Sequence, residues 1–302
     1  MGILYNLLHG KKLINSIKTD DIFIAIDDSL RKKIQSNLLE MYLDVLEVCK
    51  KYSIVPYLSG GSALGVVRHH GFIPWDDDLD ICMTRDDYTK FTEIFEKEFG
   101  DRYHLNAPNY KGKAKTRFPK IMKDRTVFRE IVDDKDEKEC CLFLDIFIIE
   151  NVPDSKLIRV CKGILCNMLE FIAGQVCFYE FRNDQVKQLY MRAGKANYYI
   201  RCMIGAMFSF YRGYQWNNAV DYWVRWKDNN SKYCTFPTGR KHYFGEILQR
   251  ERLFPAKYMN FEGYEVPVFH NVEIYLRNLY GNYMEIPPLE KREKHFIVKC
   301  EL

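Results

Sequence analysis

The sequence predicts an α+β fold, a mixed β-sheet core flanked by helices and continued by a mainly helical C-terminal part. Three observations lead there. Apolar residues at Leu30, Ile34, Leu38, Met41, Val45 and Val48 recur every three or four positions, which marks one face of a helix. Leu79, Ile81 and Met83 alternate with Asp78, Asp80 and Cys82, the period of a strand with one buried face. Beyond Pro153 the pattern turns helical and aromatic. A boundary is therefore drawn near residue 152, giving an N-terminal extension (1–27), a core (28–152) and a second part (153–302) that completes the cleft.

The elements follow in chain order. Asp27 and Asp28 offer caps for the first helix. Ile54 to Leu58, an apolar run containing Pro56 and closed by Ser59-Gly60-Gly61, reads as a strand entering a tight turn, and Ser62 to Arg68 begins a helix. Thr84 to Asp87 forms a capping box, and Tyr88, Phe91, Ile94 and Phe95 extend a helix that Gly100 stops. Arg117 to Met122, Arg125 to Ile131 and Cys141 to Ile149 read as strands. Lys123-Asp124 is the expected hairpin turn between the first two, and Asp133 to Glu139 a solvated loop.

Composition narrows the function classes. With 45 Lys and Arg against 41 Asp and Glu, the chain carries +4, too little to point to nucleic acid. Any attraction for phosphate must be local. The 10 cysteines lie mostly in apolar runs without a CxxC pair, which fits buried thiols in a reducing compartment better than zinc. The first twelve residues lack a cleavage site, so the expected location is cytoplasmic. Leu157 to Phe181 and Tyr198 to Phe210 are apolar and aromatic, but each falls short of the ~20 uninterrupted apolar residues a membrane span needs. Both read as buried helices, with a membrane-surface helix as the alternative.

The chemistry concentrates in one stretch. Asp76, Asp77, Asp78 and Asp80 crowd four carboxylates at the mouth of a strand whose other face is apolar. On a strand Asp78 and Asp80 project from one face roughly 7 Å apart, close enough to share a hard divalent cation such as Mg²⁺ or Mn²⁺. Asp76 is a further candidate ligand. Asp145, the only acid in the apolar run Cys141 to Ile149, is a candidate third carboxylate, the alternative being a hydrogen-bonded core acid. Gly60, Gly61 and Ser62 lie between a strand and a helix, where free amides can cradle an anion.

Gly60-Gly61-Ser62-Ala63-Leu64-Gly65, Arg68 and the run Gly71 to Asp80 together resemble the LicD family of phosphocholine transferases. Lys120 to Phe128, Phe143 to Phe147, Tyr280 to Met284, Pro287-Pro288 and His295 extend the resemblance over nearly the whole chain. It implies a nucleotidyltransferase-like fold, with metal-binding aspartates at Asp78 and Asp80 and a third acid at Asp145. It also implies transfer of phosphocholine, or a related phospho-alcohol, from a CDP-activated donor to a glycan such as teichoic acid or lipopolysaccharide. Fukutin-related proteins share the core and use CDP-ribitol.

The expected partners are thus a CDP-alcohol and a glycan or lipid-linked glycan, with peripheral membrane contact. In this scheme the Gly61-Ser62 turn and Arg68 contact the donor diphosphate, and Asp145 completes the metal shell or takes the acceptor proton. Lys120 and Lys123, with Arg117 and Arg125, form a second basic cluster for phosphate, or else a solvated sheet face. Trp216, Trp223 and Trp226, with Tyr222, would box a quaternary ammonium, or else form a helical core stripe. A donor contact at His295 rests on the resemblance alone. Two rival readings stand beside this one: transfer of a nucleotide from an NTP, and a non-catalytic glycan- or lipid-binding module.

Overall fold

In the computed structural model, which describes residues 24, 26–130, 140–193, 195–289, 292 and 297–302, the first amphipathic pattern folds as α1 (Asp28–Lys51). The Asp27 carboxylate caps it, accepting from the Leu30 N–H at 2.7 Å. Ile34, Leu38, Met41 and Val45 lie fully buried on its inner face. The extension 1–27, apart from residues 24, 26 and 27, and the run 133–139 lie outside the described residues.

β1 (Tyr57–Leu58) is shorter than the predicted strand, since Pro56 has no N–H for a ladder. α2 (Gly60–His69) begins two residues earlier than expected, and β2 (Asp80–Thr84) two residues later. The register explains that start: Leu58 faces Ile81 and Asp145 faces Asp80, so the ladder begins at residue 80. The Thr84 hydroxyl caps α3 (Arg85–Phe99) by accepting from the Asp87 N–H at 3.1 Å. Phe91, Phe95 and Phe99 meet in edge-on and tilted contacts along its buried side.

β3 (Tyr103–Asn106), β4 (Lys120–Lys123), β5 (Val127–Glu130) and β6 (Leu142–Val152) follow. The expected hairpin across Lys123-Asp124 does not form. β4 lies between β3 and β6, so both its edges are already paired, and the chain turns away at Arg125, whose φ is 62°. β5 pairs instead with the C-terminal β11 (Ile297–Glu301).

The second part opens with α4 (Lys156–Phe181), α5 (Asp184–Ala193), α6 (Lys195–Met207) and α7 (Gly213–Val224). β7 (Tyr233–Thr235) and β8 (Leu248–Gln249) then extend the main sheet outward from β6. Short α8 (His242–Gly245) and α9 (Arg250–Leu253), the hairpin β9 (Lys257–Phe261) and β10 (Tyr264–Val268), and α10 (Val272–Tyr280) complete it. Phe236, Phe261, Phe269 and Leu276 join Leu38 and Ile81 in one core.

The main sheet thus runs β1-β2-β6-β4-β3, with β2 and β6 parallel and its other pairs antiparallel. Among the described residues no helix is long and apolar enough to cross a membrane. The two apolar stretches are not simply buried helices, however. α4 buries Cys166, Leu169, Ala173 and Val176 but leaves Leu157, Ile164 and Met168 exposed, and α6 exposes Tyr199, Met203 and Met207. Each helix packs on its neighbours through one side, and no described element covers the other. All ten cysteines are free; six are buried and Cys161 is exposed.

Candidate active site

Strand register builds the site. Asp80 is the Cα partner of Asp145 across the parallel β2–β6 pair, and Lys120 is the partner of Asp145 across the antiparallel β4–β6 pair. Three charged residues therefore stand in one row on three adjacent strands. The next residue on each strand, Ile81, Ile146 and Ile121, is fully buried on the opposite face, so the pleat holds the charged row outward. The Lys120 ammonium lies 3.2 Å from Asp145 Oδ1 and 3.3 Å from the centre of the Phe143 ring. It meets a carboxylate and a π face together.

The glycine turn is stitched to the same strand. Ser59 donates its N–H to the Asp80 carbonyl at 3.0 Å, and the Asp80 N–H donates to Ser62 Oγ at 2.9 Å. Gly60 has φ of 52°, and a Cβ there would stand 2.5 Å from Asp80 Oδ2; one on Gly61 would stand 2.9 Å from Asp76 Oδ2. These glycines make room for the protein's own carboxylates at the start of α2. The positive end of the helix dipole favours negative charge there, so the turn sets these acids beside the helix's free amides. Asp78 lies just ahead of β2 and not on it, separated from Asp80 by the buried Leu79.

Among the described residues no three His, Cys, Asp or Glu side chains gather closely enough to hold a metal ion by themselves. The donor chemistry nevertheless fits a hard ion, because Asp78, Asp80 and Asp145 offer carboxylate oxygens only. Mg²⁺ commonly binds through one or two carboxylates and completes its shell with water and substrate phosphate, so a three-acid cage is not required.

Residues 53–150 match the domain described as "LicD/FKTN/FKRP, nucleotidyltransferase domain". The lipopolysaccharide cholinephosphotransferase LicD of Haemophilus influenzae is 27% identical over 262 residues, covering 83% of this chain and 89% of the relative. Over these residues the chain is similar to the LicD family. An uncharacterised protein of Rickettsia typhi is 38% identical over 72 residues, 23% of each chain, and one of Rickettsia prowazekii 32% over 78 residues, 24% of this chain and 29% of the relative.

Not every residue expected for a LicD site comes to this row. Lys123 sits at the far end of β4 and donates to Asn37 Oδ1 and Glu40 Oε2 on α1, both at 2.8 Å. Arg68 turns toward the C-terminal segment, donating to the carbonyls of Tyr283 at 2.9 Å and Glu285 at 3.3 Å. The tryptophans form no single box. Trp216 is buried edge-on against Phe208, Phe210 and Tyr211, Trp223 is exposed two helical turns away, and Trp226 lies beside Lys162. A cage needs converging ring faces, whereas Trp216 and Trp223 stand about 10 Å apart along α7 and Trp226 follows the end of that helix. His295 lies outside the described residues.

Some residues around this row carry no sequence signal. The buried Tyr275 hydroxyl on α10 accepts from the Gly60 N–H at 3.0 Å, and burial, then Cys82 and Glu246, push its phenol well above the usual range. Gln35 on α1 donates to the Asp76 carbonyl at 2.8 Å and fixes the acidic segment. Behind the row, Arg85 bridges Glu150 at the end of β6 and Asp221 on α7, and Arg225 and Asn109 also bind Asp221. Burial would lower the pKa of Arg85, but the two carboxylates raise it. Glu150 was open to the reasoning that singled out Asp145, being an acid closing an apolar strand.

Proposed function

We propose that this LicD-like chain is a divalent-metal-dependent phosphotransferase that moves phosphocholine from a CDP-activated donor to a glycan of the lipopolysaccharide class. The observation that carries this reading is the row of Asp80, Asp145 and Lys120 beside the glycine-lined start of α2. The Haemophilus relative, named a lipopolysaccharide cholinephosphotransferase, supports both the group transferred and the acceptor class.

Asp78 and Asp80 would hold Mg²⁺, which when bound neutralises the donor diphosphate and the departing CMP. The start of α2 and the Ser62 hydroxyl hold β2 so that Asp80 keeps its direction. Lys120 adds a positive charge that exchanges between Asp145 and a phosphoryl oxygen. The acceptor hydroxyl oxygen forms a new bond to the phosphorus bearing choline, the bond from that phosphorus to the CMP oxygen breaks, and CMP leaves with the electron pair. Asp145 takes the hydroxyl proton.

Incubation of the purified chain with Mg²⁺, a lipopolysaccharide acceptor and CDP-choline, CDP-glycerol, CDP-ribitol or CTP tests the proposal. CMP release from CDP-choline, with choline appearing on the acceptor, supports it. Pyrophosphate release from CTP would indicate nucleotidyl transfer. No product from any donor would leave a glycan-binding module.

A further inference from the structure

We propose that the outer face of the layer formed by α4, α6 and α7 docks the protein on an anionic lipid bilayer. On α4 the exposed residues Leu157, Cys161, Ile164 and Met168 recur at intervals of four, three and four. On α6 Tyr199, Met203 and Met207 recur every four, and exposed Phe210 and Tyr211 follow. These are the stripes by which an amphipathic helix normally meets a core. Here the core lies on the other side: Cys166, Leu169, Ala173 and Val176 of α4, with Trp216, Val220 and Val224 of α7, form their own buried cluster.

The three helices make one layer. Lys162 on α4 donates to the Trp223 carbonyl near the end of α7 at 2.7 Å, and Arg201 on α6 donates to Gln175 on α4 at 2.9 Å. Leu157 is 74% exposed, Met203 67% and Phe210 69%, whereas a soluble monomer rarely turns several such side chains outward from adjoining helices.

Charge selects the occupant. Residues 156–227 contain eleven Lys and Arg against four Asp and Glu, a balance of +7, whereas the whole chain carries +4, so the rest is net acidic at −3. Two of those four acids, Glu170 and Asp221, are buried, while Lys156, Arg182, Lys187, Arg212 and Lys227 are exposed. An apolar face with Tyr and Trp at its margins, on a segment whose exposed charges are mostly basic with Asp184 the exposed acid among them, is complementary to a bilayer interface bearing anionic headgroups. Since no described helix can cross a membrane, the layer would lie in the plane of the interface.

The inference does not depend on the phosphotransfer reading, because vesicle binding requires no turnover. The full chain is floated with vesicles of phosphatidylcholine alone and of phosphatidylcholine mixed with phosphatidylglycerol. Binding is expected to be roughly tenfold or more tighter to the anionic vesicles and to weaken as salt is raised. Met203→Glu and, separately, Leu157→Glu should each lower that affinity roughly tenfold while circular dichroism and Tm stay unchanged. Equal or absent binding to both vesicle types, or full binding by both variants, overturns the proposal. So does concentration-dependent self-association in ultracentrifugation that these variants abolish without any vesicle binding, since the face would then belong to a second copy.

Discussion

Asp80 on β2 and Asp145 on β6 are register partners across the parallel strand pair of the main sheet, so two acids distant in sequence stand side by side on one face. Like charges in adjacent strand positions repel, and the row is completed by a cation, Lys120, on the next strand.

That cation gives the first prediction. Replacing Lys120 with Met removes the charge beside Asp145, and kcat/KM for CMP release from CDP-choline is expected to fall about 100-fold. Lys120→Arg should recover part of it. Steady-state kinetics on the two variants provides the check.

Gly60 gives the second. Its φ of 52° and the 2.5 Å approach to Asp80 mean that Gly60→Ala meets both backbone strain and a carboxylate. A loss of about 1–3 kcal/mol is expected, read as a lower Tm, together with lost activity. Gly112 also has positive φ, at 83°, but open space around it. Gly112→Ala should therefore lower Tm less and leave turnover intact.

The buried acids give a pH dependence. Burial, partly opposed by Arg117, pushes the Glu170 carboxyl up to about 8, and burial likewise pushes Glu246 up to about 7. Both pKa values are raised on folding, so the folded state holds protons that the unfolded state releases near the ordinary carboxyl value of 4.5. Their favourable contribution is full below that value and is lost as pH rises through 7 and 8. His242, whose Nδ1 lies 2.9 Å from Glu170, is lowered by burial and acts in the opposite sense as pH falls. In thermal melts Glu170→Gln should raise Tm at pH 8 and change it little at pH 4, whereas the same gain at both pH values would remove titration as the cause.

The Arg85 bridge gives the fourth. Arg85→Met would leave the carboxylates of Glu150 and Asp221 buried without their shared cation, an expected cost of about 3–5 kcal/mol. Denaturant unfolding measures it. The double replacement of Arg85 and Glu150 by apolar residues should recover part of the loss.

Much of this was legible along the chain. The helix at Ile34 to Val45 and the helix capped by Thr84 show their buried faces as simple periods, the alternation of Leu79, Ile81 and Met83 marks the strand although Cys82 between them is buried as well, and Asp145 stands out as an acid in an apolar run. Register was not legible. No local pattern says that Lys120 rather than Lys123 faces Asp145, because that follows from where β4 docks on β6. The Tyr275 contact to Gly60 joins residues far apart in sequence and leaves no periodic trace. The role of the glycines was also hidden, since a turn that cradles phosphate and one that admits Asp80 use the same residues.

The most direct measurement compares wild type and Asp80→Asn for Mg²⁺-dependent CMP release from CDP-choline and for thermal stabilisation by the two ligands together. Wild type should turn over and, with donor at about 100 times its Kd, gain about 2.7 kcal/mol of stability. The folded variant should lose at least about 100-fold in rate along with that gain. Near-normal turnover by folded Asp80→Asn would contradict the account.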